Sequence, residues 1–131
     1  MVFIGGPRQV GKTTIARDLI AKQYRQSGYY NWDIKSNRRK IMNSNWPGNA
    51  DLIILDEIYK YKKWKSFVKG EYDTLKGKYH FLITGSARLD IYRKGGDSML
   101  GRYHYYRLHP FSLAELIGRI SIPVIFFNHV S

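Results

Sequence analysis

The chain opens on Met1-Val2-Phe3-Ile4, a short apolar, partly β-branched run that stops at Gly5, which is how a buried strand ends. Past a glycine-rich stretch, Ile15, Ala16, Leu19, Ile20 and Tyr24 recur at helical spacing with Lys and Arg between them. That spacing predicts an amphipathic helix from residue 13 to about 25, ended by Ser27-Gly28. Tyr29-Tyr30-Asn31-Trp32 reads as a second strand, the polar and basic segment 35–43 as a short helix, and Trp46-Pro47-Gly48-Asn49 as a turn cluster. Leu52-Ile53-Ile54-Leu55, continuous and apolar and followed by Asp56-Glu57, has the pattern of a parallel strand buried on both faces. From residue 59 to 75, Trp64, Val68, Tyr72 and Leu75 repeat at intervals of three and four with lysines on the other faces, a helix with one buried side. Phe81-Leu82-Ile83-Thr84 is a fourth strand ending at Gly85. A loop with Gly95-Gly96 leads to a fifth strand over 104–108, and 111–117 reads as a last short helix. Strands alternating with helices imply an α/β fold, a parallel sheet with helices on both faces.

Composition narrows the class. A length of 131 residues suits one domain, and 44% hydrophobic with 15% aromatic residues is a globular balance. Cysteine is absent, which excludes disulfides and thiolate metal sites. The apolar run 122–127 is far shorter than the roughly 20 residues of a membrane span, and Arg8 and Lys12 interrupt the N-terminal apolar stretch, so no signal segment is evident. The expected location is the cytoplasm. A formal charge of +12 makes a polyanion such as nucleic acid a candidate partner, beside the plainer reading that A/T-rich codons supply part of the lysine excess.

The stretch Gly5 to Thr14, GGPRQVGKTT, cannot be the interior of a helix or strand, given its glycines and proline. Gly6-Pro7-Arg8-Gln9-Val10-Gly11-Lys12-Thr13 matches G-x-x-x-x-G-K-[ST] and lies between a strand and a helix, the context a phosphate-binding loop demands. Glycines let backbone N–H groups turn inward around a phosphate chain, and the helix N-terminus adds a favourable dipole. Residues Gly6 to Thr14 are thus the candidate nucleotide-binding set. In that role Lys12 reaches the β- and γ-phosphates and Thr13 holds Mg²⁺ through its hydroxyl.

The second element of such a site is an acid at the end of another buried strand, because Mg²⁺ takes oxygen ligands. Asp56 fits, and the adjacent Glu57 can polarise a water for attack on the γ-phosphate. The bland alternative is that Asp56-Glu57 merely caps the following helix. The segment KYKKWKSFVKG sets lysines among Tyr59, Tyr61 and Trp64, which suits a phosphate-tracking face or, more plainly, a solvated helix face with Trp64 in the core. The four histidines, His80, His104, His109 and His129, lack metal-ligand spacing.

Taken together, GPRQVGKTT, LIILDEIYKYKKWKSFVKGEYD, LITGSARL and SMLGRYHYYRLHPFSLAEL resemble the prokaryotic AAA-type ATPases, in which an ATPase core precedes a C-terminal domain of unknown function. The similarity runs from about residue 2 to 117. It implies a P-loop NTPase three-layer α/β/α sandwich with a mainly parallel five-stranded sheet in the order 5-1-4-3-2, so that the strand ending at Thr84 lies between the phosphate-loop strand and the Asp56 strand. It also implies that Thr84 or Ser86 senses the attacking water. Arg102 is the candidate arginine finger, Arg88 a poorer one, and such a finger can come from a neighbouring subunit of an oligomer. Relatives of this type extend beyond both ends, so residues 1–120 are expected to be an ATPase core and 121–131 a truncated tail. The leading expectation is Mg²⁺-dependent ATP binding and hydrolysis. A phosphotransferase sharing the loop, and a basic nucleic-acid-binding module without turnover, are the alternatives.

Overall fold

A computed structural model of the protein describes residues 1–6, 11–85, 103–107 and 129–130. Five strands run parallel: β1 (Val2–Gly5), β2 (Ser27–Asn31), β3 (Leu52–Asp56), β4 (His80–Gly85) and β5 (His104–Arg107). Their order is β2-β3-β4-β1-β5, the expected 5-1-4-3-2 read from the other edge. The two-residue strand β6 (His129–Val130) joins antiparallel to β5, so the segment read as a tail adds a short edge strand to the sheet.

Both faces of this sheet are covered, which is why its central strands β1, β3 and β4 carry continuous apolar runs. Alternation along each strand divides the side chains between two cores. Ile4, Leu52, Ile54 and Leu82 point to one face, where they meet Ile15, Ala16 and Ile20. Phe3, Ile53, Leu55, Phe81 and Ile83 point to the other, against Ile41, Ile58, Trp64 and Val68. The first face is closed by the helical segment after β1: α1 (Lys12–Thr14), continued by π turns over Ile15–Ile20 and a 3-10 turn over Ala21–Gln23. Widening to π is visible in the Ala21 N–H, which donates to the carbonyl of Ala16, five residues back. The opposite face is closed by α2 (Lys35–Met42) and α3 (Trp64–Leu75), with a 3-10 turn at Ile58–Lys60.

Three boundaries differ from the periodicity. β2 begins at Ser27, so Gly28 lies inside a strand instead of ending a helix. A Cβ there would come within 3.0 Å of the Tyr30 ring, and the bare Cα lets that ring fold back over it. The helix read over 59–75 is a 3-10 turn and α3, separated by a turn at 61–63, where the Trp64 N–H donates to the Tyr61 carbonyl at 3.0 Å. The first helix ends at Gln23, because Tyr24 is already extended. Trp64 is buried, as expected of a core residue. The Leu19 side chain, the loop 86–102, Leu108, His109 and the helix read over 111–117 lie outside the described residues. Among the described residues no helix is long and apolar enough to cross a membrane.

Candidate functional site

Parallel strands all finish at one edge, so the last residues of β1, β3 and β4 are brought together there. Asp56 stands in register with Thr84, and Thr84 in register with Ile4. The chain leaves β1 through Gly6 at φ 153° and enters α1 through Gly11 at φ 90°, conformations that side chains rarely tolerate. The Ile15 N–H donates to the Gly11 carbonyl at 2.9 Å, which starts the helix directly after that glycine.

Within this frame the hydroxyl groups converge on Asp56. Thr13 Oγ1 donates to Asp56 Oδ2 at 3.0 Å, Tyr29 Oη donates to the same oxygen at 2.5 Å, and Thr84 Oγ1 donates to Oδ1 at 2.8 Å. Asp56 is 4% exposed and Thr84 fully buried, so a buried anion is held by three donors. Such charge-assisted bonds are what make a buried carboxylate tolerable. Lys12, one residue before Thr13, is also buried, whereas Thr13 and Thr14 are exposed. Thr13 therefore joins the buried acid to the open side of the site.

Tyr29 has no counterpart among the residues that the sequence singles out. The pair Tyr29-Tyr30 gives only strand alternation, which sends Tyr30 against Trp46 and Tyr29 toward the helix after β1. The Arg17 guanidinium covers the Tyr29 ring 4.5 Å from its centroid. Burial first, then the hydrogen bond and charge of Asp56, push the Tyr29 phenol up to about 12, against the smaller opposing effects of Asn31 and Arg17. The phenol is thereby kept as a donor.

Glu57 follows in a left-handed conformation, φ 61° and ψ 22°, uncommon for a residue with a side chain. Its N–H donates to the Thr84 carbonyl at 2.9 Å, and its carboxylate lies 3.8 Å from Lys60 Nζ. Lys60 in turn donates to Asp33 at 2.7 Å, which raises the lysine pKa. Glu57 stands at the N-cap position of the turn it precedes but makes no side-chain cap hydrogen bond, and Asp56 is engaged by three hydroxyls. Pro7, Arg8, Gln9, Val10, Ser86, Arg88 and Arg102 lie outside the described residues.

No group of three or more His, Cys, Asp or Glu side chains assembles among the described residues, and His80 and His104 are exposed. One carboxylate beside a hydroxyl suits a hard cation that completes its shell with phosphate and water, as Mg²⁺ does. It does not suit zinc.

No curated protein matches the chain. Residues 1–117 match the family model of the AAA domain, a span that takes in every described element except β6. The chain belongs to the AAA domain family, and its general function is that of a nucleotide-binding, ATPase-type domain.

Proposed function

We propose that the domain binds ATP with Mg²⁺ in the cytoplasm and hydrolyses it. The observation that carries this reading is the hydrogen-bonded set Thr13, Asp56 and Thr84 at the carboxyl edge of the sheet, one residue from the buried Lys12. In this reading the backbone of residues 6–14 cradles the phosphate chain and Lys12 binds the β- and γ-phosphates. Thr13 and Asp56 hold Mg²⁺, which when bound offsets the charge on the phosphate oxygens. The left-handed turn at Glu57 and the hydrogen bond that its N–H donates to the Thr84 carbonyl hold Glu57 and Thr84 together at the strand ends. Glu57 accepts a proton from the attacking water, and the hydroxyl of Thr84 or of Ser86 orients the water. Arg102 of a neighbouring copy stabilises the transition state as an arginine finger.

A carboxylate directly after the metal-binding acid favours water as the acceptor over a phosphotransferase substrate. Glu57→Gln is expected to bind ATP within about twofold of wild type while phosphate release falls by about 100-fold. Phosphate release from ATP without an added acceptor, measured on both proteins, tests this. Equal release by wild type and Glu57→Gln, or release that requires an acceptor, overturns the reading.

A further inference from the structure

α2 carries Lys35, Arg38, Arg39 and Lys40 and no acidic residue, and all four cations are exposed. Lys35 is three residues from Arg38 and four from Arg39, so like charges adjoin on one helix face, an arrangement that opposes helix stability. Lys35 also lies in the first turn, where the helix dipole disfavours a cation. Packing does not call for this charge. The helix is seated by the fully buried Ile41 and by Asn37, whose Oδ1 accepts the Asn31 N–H at 2.8 Å.

A second group of cations adjoins the first. The Arg38 guanidinium lies 5.9 Å from the Trp32 ring centroid, Trp32 stacks on Tyr61 at 5.0 Å, and exposed Lys62 and Lys63 follow Tyr61. Asp33, next to Trp32, is held by Lys60 at 2.7 and 2.8 Å. This surface stands past the carboxyl ends of β2 and β3, and the Trp32 N–H donates to the Asp56 carbonyl at 2.9 Å.

The geometry points to the face formed by α2 and the 61–63 turn as a binding surface for the phosphodiester backbone of nucleic acid. Charge complementarity selects this partner. The cores of protein interfaces are depleted of charge, whereas nucleic-acid interfaces are strongly positive. The rings serve as framework: the Trp32 ring is already engaged by Arg38 and by Tyr61, and Trp64 is buried, so contact comes through cations and carries little base preference. The inference is independent of ATP, because nothing in it requires a bound nucleotide.

Fluorescence anisotropy of labelled oligonucleotides of about 20 residues, single-stranded and duplex, titrated without nucleotide at roughly 50 and 200 mM salt, tests it. Arg38→Gln/Arg39→Gln and Lys62→Gln/Lys63→Gln are each expected to weaken single-strand binding roughly tenfold or more. Each should also lower the salt slope by about 1.4, two phosphate contacts at about 0.7 apiece. Lys76→Gln/Lys78→Gln removes the same charge just before β4, at the opposite edge of the sheet, and should change affinity less than about twofold. Unchanged circular dichroism and an unlowered melting temperature in Arg38→Gln/Arg39→Gln would separate loss of contact from loss of fold. Absence of wild-type binding at low salt, equal weakening by the Lys76/Lys78 pair, or displacement of the oligonucleotide by polyglutamate at equal charge would overturn it, the last in favour of an acidic protein partner.

Discussion

Asp56 accepts three hydroxyl protons while almost fully buried, so each donor offsets part of the cost of keeping an anion from water. Thr84→Val keeps the shape and removes one donor, and is expected to cost about 2 kcal/mol in urea unfolding. Tyr29→Phe removes another and should cost about 1.5 kcal/mol at pH 8 in metal-free buffer. Its pH dependence has a definite sign. The folded phenol is pushed up to about 12, while in the unfolded chain it ionises near 10. Its stabilisation is complete below pH 10 and is lost as pH rises toward 12, because only the unfolded chain sheds the proton in that window. The gap in urea midpoint between wild type and Tyr29→Phe should therefore close between pH 10 and 12, and a widening gap would contradict the bond. Thr13 and Asp56 were legible in the sequence, one from a loop pattern and the other from an acid ending an apolar run. Tyr29 was not, since its role depends on which helix covers its side of the sheet.

Strands were the most legible elements, because burial on both faces leaves unbroken apolar runs such as Leu52 to Leu55. Gly28 misled as a helix stop because the ring it accommodates, Tyr30, is fixed by Trp46 from a later turn. The π widening over Ile15–Ile20 left the positions of Ile15, Ala16 and Ile20 apolar, so spacing alone reads as an ordinary helix. At Gly5 the constraint is between elements. A Cβ there would run into the hydroxyl of Tyr105 on β5, the strand paired with β1. Gly5→Ala is expected to destabilise the fold by about 1 to 3 kcal/mol, as an overpacked site does, with a normal melting temperature restored in Gly5→Ala/Tyr105→Phe if the hydroxyl is the obstacle. No recovery would place the strain elsewhere.

At the scale of the whole molecule, a basic chain of net charge +12 belongs to a nucleotide-binding family, and the proposed function puts the nucleotide at the carboxyl edge of its sheet. Ligand binding to the folded state alone should stabilise it by about 2.7 kcal/mol at a hundredfold excess over Kd. For a chain of this size that raises the melting temperature by about 10 °C, and Lys12→Ala should show no such rise. The most direct test of the central claim, that Lys12 and the Thr13–Asp56 pair together grip a triphosphate and its metal, is a titration with a fluorescent ATP analogue, with and without Mg²⁺. Wild type is predicted to bind and to gain affinity with Mg²⁺, Lys12→Ala to lose binding, and Asp56→Asn to lose the Mg²⁺ gain. Equal binding by wild type and Lys12→Ala would contradict the account.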